Sequence, residues 1–458
     1  MPANYVLLER VEVGATAVSS ITFNSIPQTG YTDLKVVASV RTTYAGFLEM
    51  GLFFNGNASS GYSYRRLVGD GASATSGNAT TGGSIITATL GTTATANVFS
   101  SHEIYIPNYT STNSKSVSID STTENNATTS YLNLVAGLST LATAITSVGL
   151  GIGAGNFVQY SSFSLYGLAA VGTTPTKAPK ASGGSIIQTD GTYWYHAFLA
   201  SGTFTPATAL SCDYLVVAGG GGAGDMSGGG AGGLRSTVTA TGGGGSLESA
   251  LSVSTAVTVT VGAGGAGVNA GGTHGTSGSN SVFSTITSTG GGYGGGYAPS
   301  TPSVADGGNG GSGGGSIANT TGGTPGTGTA NQGYGGSGKA NQTFGQGGGG
   351  GGAGAVPTVI GNGSGDNGGI GVAISAFATA TSTGVSNYYA GGGAGSSQAG
   401  YAQGIGGSGG GGNGRVQNGA SATSGTANTG GGGGGTYSTN GLPSGAGGSG
   451  IVIVRYLA

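Results

Sequence analysis

Alternating apolar and polar positions predict that the first part of the chain is a series of short β-strands. Between residues 5 and 171 the apolar runs are rich in Val, Ile, Thr, Phe and Tyr, and several alternate with polar residues, as in Ser116–Asp120. Alternation with a period of two is typical of a half-buried strand. The predicted strands are YVLLERVEV (5–13), SSITFNSI (19–26), LKVVASVRT (34–42), EMGLFFNG (49–56), SIITATL (84–90), EIYIPNY (103–109), KSVSID (115–120), LNLVAGL (132–138) and SSFSLYGLAAV (161–171).

Residues 1–171 are therefore predicted to form an antiparallel β-sandwich of jelly-roll type. Asn, Gly, Ser and Pro separate the runs at short intervals, and strong helix formers are scarce. Only Tyr131–Leu141 is ambiguous between strand and helix. We predict a mainly β protein with little α-helix.

Two shorter segments follow the predicted sandwich. Residues 172–190 contain Pro175, Pro179, two lysines and many small residues, which is typical of a stiff, solvated linker. Residues 191–218 concentrate aromatic side chains, among them the single tryptophan, Trp194. We predict an aromatic β-hairpin followed by a strand, which together form the base of the next domain.

Residues 219–458 are predicted to form a glycine-rich domain that begins and ends with β-structure. Leu215–Val217 leads into it and Ile451–Val454 closes it, and we expect these two strands to lie side by side. The stretch 251–265, with its V-T-V-T-V alternation, is a further β edge. Glycine runs of irregular spacing fill the interior.

Glycine makes up 107 of the 458 residues, and most of it follows position 218. A flexible linker is one interpretation, because glycine loses the most conformational entropy on folding. Collagen is excluded, since it needs Gly at every third position and abundant proline, and the chain has 11 prolines. The interpretation we favour is a bundle of polyglycine II helices, in which side-chain-free backbones approach closely and hydrogen-bond to each other.

Several short motifs match the glycine-rich region by composition alone. The G-x-G-x-x-G at Gly219–Gly224 lacks the helix that a dinucleotide site requires. The G-x-x-x-x-G-K at Gly333–Lys339 is followed by Ala340, where a phosphate-binding loop has Ser or Thr. The G-x-S-x-G matches have no α/β framework, and the Asp residues are isolated. We predict no enzymatic activity, no catalytic residue, no cofactor and no metal.

Charge gives no sign of a nucleic-acid or membrane partner. The net charge is −2, and charged residues make up only 6% of the chain. Between 219 and 450 the cations are Arg235, Lys339 and Arg415, which are too few for a nucleic-acid-binding surface. Cys212 is the single cysteine, and the N-terminal residues lack a secretory signal pattern. We expect assembly in a cytoplasm, no nucleic acid and no membrane insertion.

The segments between glycine runs carry Tyr, Phe, Asn and Gln, the residue types that dominate antibody binding sites. Tyrosine offers a large amphipathic surface at low entropic cost, and its ring stacks on sugars. The alternative is that these segments are turns with a purely structural role. The candidate binding residues are Tyr293, Tyr297, Asn331, Gln332, Tyr334, Asn341, Phe344, Tyr388, Tyr389, Tyr401, Gln403, Tyr437 and Asn440.

The motifs CDYLVVAGGGGAG, GGGAGGLRS, TVTVGAGGAG and GSGIVIVRY, over about residues 185–458, resemble the glycine-rich domain of bacteriophage tail-fibre and adhesin proteins. The front, with EIYIPNYTSTNSKSVSIDSTTENNA and GNFVQYSSFSLYGL, resembles an N-terminal module of marine phage virion proteins, including those of cyanophages. The resemblance implies polyglycine II helices at 290–296, 307–315, 347–354 and 404–412, with recognition loops between them.

The resemblance also implies a function and partners. We expect a virion protein, a tail fibre or fibre-tip adhesin, that binds a host cell-surface glycan or outer-membrane protein. The sandwich would attach it to other virion proteins or to its own copies, with a trimer favoured. Three alternatives stay open: a capsid or tail decoration protein with the glycine domain as a rigid spacer, a sandwich that is itself the carbohydrate binder, and a depolymerase.

Overall fold

The computed structural model divides the chain into two compact units. The first comprises Met1–Lys180, Ile186–Trp194 and Ala458, and the second comprises Ala181–Ser185 and Tyr195–Leu457. The structure describes residues 5–124, 130–170, 178–269, 272–297, 302–317, 323–339, 346–361, 363–437 and 442–458.

The described residues are mainly strands, with little helix, as predicted. The strands are β1 (Tyr5–Glu12), β2 (Ser20–Phe23), β3 (Tyr31–Val40), β4 (Leu48–Phe54), β5 (Tyr62–Gly69), β6 (Ala74–Gly82), β7 (Ile85–Thr89), β8 (Ser100–Ile106), β9 (Lys115–Thr122), β10 (Leu132–Ser139), β11 (Val148–Ile152), β12 (Ser162–Ala169), β13 (Ala181–Ser182), β14 (Ile186–Thr189), β15 (Tyr193–Phe198), β16 (Gly202–Pro206), β17 (Leu210–Val217), β18 (Leu234–Ser236), β19 (Leu251–Val253), β20 (Val257–Thr260), β21 (Ser281–Phe283), β22 (Ile286–Ser288), β23 (Val372–Ala373), β24 (Tyr388–Tyr389) and β25 (Ile451–Leu457). The helices are α1 (Pro302–Ala305), α2 (Ser375–Thr381) and a 3-10 turn at Gly242–Gly244. In the described part of the chain, no helix has the length and apolar character needed to span a membrane.

The first unit is a sandwich of antiparallel sheets. One sheet has the order β14-β1-β12-β3-β8-β9-β10-β5-β6, and the other has the order β2-β11-β4-β7. Inward-facing side chains of both sheets form one core, including the fully buried Phe23, Leu34 and Phe163. The ambiguous stretch Tyr131–Leu141 contains β10, whose residues alternate between exposed and buried. The predicted sandwich is therefore confirmed.

Three strands between residues 5 and 171, β5, β6 and β11, were not predicted. β6 is almost entirely polar, and so lacks the alternation that marks a half-buried strand. β11 contains two glycines, and glycine usually weakens a strand. At Gly149 the ring of Phe53 occupies the space of a side chain, because an added Cβ would lie 2.1 Å from its Cε2 atom. Glycine is required there by packing.

The base of the second unit joins the start and the end of the glycine-rich region. β17 and β25 pair antiparallel, with Leu215 opposite Ile453 and Val217 opposite Ile451. β18 pairs with the other edge of β17. The side chains of Leu215, Val217, Ile451 and Ile453 are completely buried. The predicted pairing of the entry strand with the closing strand is confirmed.

Other parts of the base differ in detail from the prediction. β15 and β16 belong to different sheets, because β15 lies next to β25 while β16 pairs with β13 and β20, so they do not form the expected hairpin. The edge predicted at 251–265 consists of two short strands, β19 and β20. β13 and β14 fall within residues 172–190, which the sequence assigned to a linker.

The glycine tracts of the second unit form extended helices with three residues per turn. In the first tract, backbone N–H groups three residues apart donate to carbonyls that are also three residues apart on one neighbour. No glycine between 219 and 224 has a positive φ, in agreement with a polyproline II conformation. At N···O distances of 2.8–3.2 Å, the donations go to three neighbours: Gly219 to Ser279, Gly222 to Thr276 and Asp225 to Thr273; Gly220 to Gly448 and Ala223 to Gly445; Gly221 to Gly230 and Gly224 to Ser227.

Tracts 290–296 and 347–354 are single helices, whereas 307–315 and 404–412 each reverse direction. In the last of these, Gly409 and Gly410 have φ values of 100° and 92°, and this left-handed turn brings Gly411 back to donate to Gly407. In 307–315, the N–H of Gly314 donates to the carbonyl of Gly308 after the chain reverses. The expectation of one helix per tract is therefore corrected to two at these places.

Close packing explains why these helices are glycine. An ideal Cβ on Gly221 would lie 2.1 Å from the carbonyl oxygen of Gly292, and one on Gly219 would lie 2.0 Å from that of Ala263. Both distances are far below a van der Waals contact. Glycine is required because neighbouring backbones approach too closely to leave room for a Cβ atom. This close approach is the physical basis of the predicted polyglycine II bundle.

Candidate functional site

The hydrogen-bond register places the ends of the glycine tracts at two opposite ends of the bundle. The sheet end is the level of Gly219, directly after β17. The far end is the level of Asp225, where the backbone donates to Thr273 and forms a bridge with Thr436. Six residues at about 3.1 Å each separate the two levels by about 19 Å. A residue on another tract is assigned to one end from its backbone hydrogen-bond partner, whose position between Gly219 and Asp225 gives the level.

Four of the candidate binding residues lie at the far end. Tyr297 follows a tract in which Gly294 donates to Gly222, and Tyr437 follows Thr436. Tyr401 is 49% exposed and its ring lies over Gly363. The remaining residue is Gln403, whose side-chain amide donates to the carbonyl of Gly414 at 2.8 Å.

The exposure of these four residues differs. Tyr437 is only 6% exposed, and burial raises the pKa of its phenol. Tyr297 and Gln403 are half-buried. Tyr401 therefore offers the largest accessible aromatic surface of this group.

Five candidates lie at the sheet end, where the structure gives several of them packing roles. The Gln332 side-chain oxygen accepts the backbone N–H of Thr289 at 2.7 Å. Tyr389 is completely buried, and its hydroxyl is 2.7 Å from that of Thr383. Tyr334 and Tyr388 are half-buried, and Asn331 is exposed with a φ of 60° at a turn. Burial leaves Tyr389 no accessible surface for a ligand, as it leaves Tyr437 almost none at the far end. The other four sheet-end residues stay candidate binding residues.

The remaining candidates are Tyr293 and three residues outside the described ranges. Tyr293 lies within a helix, and its ring stacks on His274 with centroids 4.3 Å apart. Asn341, Phe344 and Asn440 lie outside the described residues.

The far end also holds buried charges that the sequence did not single out as a site. Lys339 and Asp366 form an ion pair at 2.6 Å, with side chains 6% and 0% exposed. Asp366 also accepts from the Ser337 hydroxyl at 2.7 Å and the Ile360 N–H at 2.9 Å. The ion pair could not be predicted from the sequence, because the hydrogen-bond register between tracts, and not the spacing in the chain, brings Lys339 and Asp366 together.

Asp225 is buried at the same end. Its Oδ2 accepts the backbone N–H of Gly272 at 3.0 Å, and its Oδ1 has no hydrogen-bond partner. Burial raises the pKa of Asp225 to about 6, because the ionised carboxylate loses its hydration, while the Gly272 bond opposes the shift.

Arg415 is a further charged residue of the far end. Its backbone N–H donates to Gly435, and its carbonyl accepts from Ser397. The residue is 4% exposed, and its Nε and Nη1 atoms have no hydrogen-bond partner. The only signal in the sequence was that cations are rare in this region.

The first unit contains a separate groove between β4, β5 and the start of β10. Phe47 and Tyr131 line it as an edge-to-face pair with centroids 4.7 Å apart. Arg66 and Glu49 form an ion pair at 2.8 Å in its wall, and Asn133 also lines it. Aromatic rings beside charged and amide groups suit a small polar ligand such as a sugar.

Among the residues that the structure describes, no group of three or more His, Cys, Asp or Glu side chains is placed to hold a metal ion. His102 and His196 are buried, and burial lowers their pKa values to about 3 and about 4. The far end presents the aromatic surface of Tyr401, the side-chain amide of Gln403 and the buried cation Arg415.

Comparison with known proteins adds a family for the second unit. The family model described as glycine-rich domain matches residues 199–457, which is more than half of the chain. No curated protein and no solved structure matches the chain. The matched residues run from before β16 to the last residue of β25, and so include the paired strands β17 and β25 and the whole polyglycine bundle. The chain belongs to the glycine-rich domain family.

Proposed function

We propose that the protein is a bacteriophage virion protein, a tail fibre or fibre-tip adhesin, that binds the host cell surface through the far end of its glycine bundle. The observation that carries the proposal is the register of the tracts. It brings Tyr297, Tyr401 and Gln403 to one end of a bundle whose interior is almost free of side chains. The proposed ligand is a host surface glycan or an outer-membrane protein.

The architecture supports such a role on physical grounds. A bundle of backbone-bonded helices is stiff, because each tract is held by several neighbours through hydrogen bonds. The connections at its end can vary without changing that interior, and binding residues on loops positioned by a rigid scaffold are a recurrent arrangement. The first unit would then attach the protein to other virion proteins or to its own copies, and a trimer remains our expectation.

The proposal is tested by binding of the fluorescently labelled full chain to a panel of bacteria that includes marine cyanobacteria. Tyr401→Ala should lower the affinity for a bound strain at least tenfold, since it removes the most exposed far-end aromatic ring. Tyr44→Ala, which removes an exposed tyrosine of the first unit, is the matched control and should change it less than twofold. Wild-type protein that binds no strain would favour a decoration or spacer role.

A second candidate function is favoured by the groove of the first unit. There the sandwich would be the carbohydrate binder, with the Phe47–Tyr131 pair as stacking surface and Arg66, Glu49 and Asn133 as hydrogen-bonding groups. In the same binding assay, Tyr131→Ala would abolish binding and Tyr401→Ala would leave it unchanged.

A further inference from the structure

Arg415 differs from the other cations of the second unit because the chain supplies no counterion for it. Arg235 binds Glu248 through two nitrogens, at 2.6 and 2.7 Å. Lys339 pairs with Asp366 at 2.6 Å and Arg455 with Asp213 at 3.1 Å. Arg415 takes part in none of the ion pairs between described residues, although every Asp and Glu of the chain lies within the described ranges.

A buried guanidinium without an anion is energetically unfavourable. Arginine side chains in proteins are not deprotonated, so a guanidinium does not escape the cost of burial by losing its charge. Burial removes hydration, and Arg415 is 4% exposed with two nitrogens unpartnered. Buried charges in proteins are normally paired or hydrogen-bonded. An anion from outside the chain would supply what is missing.

Other unsatisfied polar atoms lie on neighbouring tracts at the same level. Ser227 Oγ and Gln346 Oε1 are buried and have no partner. The register connects them to Arg415: Ser396 donates to Met226, Gly347 donates to Ser396, and Ser397 donates to Arg415. Of the second unit's residues with unpartnered buried side-chain atoms in the described ranges, only Ser312 lies away from the far end, near the chain reversal at 311–312. The far end is thus the part of the bundle that is poorest in internal partners.

We propose that the Arg415 guanidinium binds an anionic oxygen group, a carboxylate, phosphate or sulfate, of a ligand at the far end of the glycine bundle. The planar guanidinium donates two parallel N–H groups to such an anion, and this geometry favours it over chloride. The source of the anion rests on the proposed function: an acidic surface glycan would carry it. The anion site itself does not depend on that function.

The experiment uses the full chain in a buffer free of phosphate and sulfate. Sodium glucuronate and sodium phosphate are titrated calorimetrically, with sodium chloride at equal ionic strength as the reference. We expect saturable binding of at least one probe, weakened at least tenfold in Arg415→Gln and unchanged in Arg65→Gln, which removes an exposed guanidinium of the first unit. Stronger binding of glucuronate indicates an acidic sugar, and binding of phosphate alone indicates a phosphate group, free or esterified.

A second variant keeps the proposal testable if Arg415→Gln does not fold. Arg415→Met replaces the charged side chain with an unbranched apolar one. Without anion, the melting temperature of this variant should therefore equal or exceed that of the wild type. Glucuronate or phosphate should no longer raise it. Heats and melting temperatures of the wild type that follow ionic strength alone would overturn the proposal. If Tyr401→Ala still impairs cell binding in that case, the adhesin function stands without the anion site.

Discussion

The carbonyl oxygen of Gly292 lies 2.1 Å from the point that a Cβ on Gly221 would occupy. The backbone N–H of the same Gly221 donates to Gly230 at 2.8 Å, so the residue is fixed by one neighbour and crowded by another. Contacts of this kind recur along every tract, and they leave no room for side chains between adjacent helices. The glycine content of the chain follows from this distance.

Gly221→Ala should destabilise the second unit by roughly 1–3 kcal/mol, the usual cost of overpacking. The added methyl group must displace a backbone carbonyl, which unlike a side chain has no alternative rotamer. Urea unfolding monitored by circular dichroism measures the loss. Gly361→Ala is the matched control, because Gly361 is exposed, has no positive φ and has no atom within 4 Å of the added Cβ. It should change stability by less than about 0.5 kcal/mol. Equal effects of the two variants would contradict the close-packing account.

The ion pair of Lys339 and Asp366 should be strongly coupled. Lys339→Met leaves a carboxylate that is 0% exposed without its cation, and we expect a loss of about 3 kcal/mol. In the double variant Lys339→Met/Asp366→Asn the remaining charge is gone, so the loss should be smaller than the sum of the two single losses. A double-mutant cycle from urea unfolding gives the coupling energy. Additive single effects would show that the pair contributes nothing specific to the far end.

How much of this fold could be predicted depended on whether the signal was local. The strands around Ser116–Asp120 and at Leu215–Val217 were predictable, because alternation and apolar runs are patterns of residues adjacent in the sequence. Polyglycine II packing was predictable from composition together with bounding strands. The end of the bundle at which Tyr401 or Tyr389 lies was not predictable, because it follows from the hydrogen bonds between neighbouring tracts. The chain reversals at 311–312 and 409–410 were hidden by the uniform glycine composition.

Contacts between distant residues also account for what could not be predicted at the candidate site. Arg415 and Asp366 were visible as rare charges, but their burial and pairing arise from contacts between residues far apart in the chain. Residue type alone placed Tyr437 and Tyr401 in the same group of candidate binding residues, although the first is 6% and the second 49% exposed. Residue type indicated recognition chemistry, and only the register indicated which residues can take part in it.

Stability of the second unit should depend on pH through His196. Its Nδ1 lies 2.6 Å from the carbonyl oxygen of Gly183 and its Nε2 lies 2.9 Å from the hydroxyl of Tyr456. Burial lowers the pKa of His196 from 6.5 to about 4, and the Gly183 bond opposes the shift. The folded state therefore holds the ring neutral where the unfolded state binds a proton. This contribution is fully present above pH 6.5 and is lost as the pH falls toward 4, by up to about 1.4 kcal/mol per pH unit.

Asp225 acts in the opposite direction over the same range. Its pKa is raised from 3.8 to about 6, so its contribution is greatest below pH 3.8 and is lost as the pH rises through 6. Asp225→Asn should therefore steepen the loss of stability between pH 6 and pH 4. Urea unfolding at a series of pH values measures the slope, and the imidazole resonance reports His196 directly. An imidazole resonance of folded His196 that titrates near pH 6.5 would contradict the buried position.

Hydrogen–deuterium exchange of the full chain distinguishes glycine tracts that are ordered helices joined by backbone hydrogen bonds from a flexible linker. Peptides covering 219–233 and 347–354 should exchange slowly, at rates close to those of peptides from β17 and β25, because their N–H groups donate to neighbouring tracts. Complete exchange of these peptides within seconds, as in a glycine-serine linker, would contradict the account.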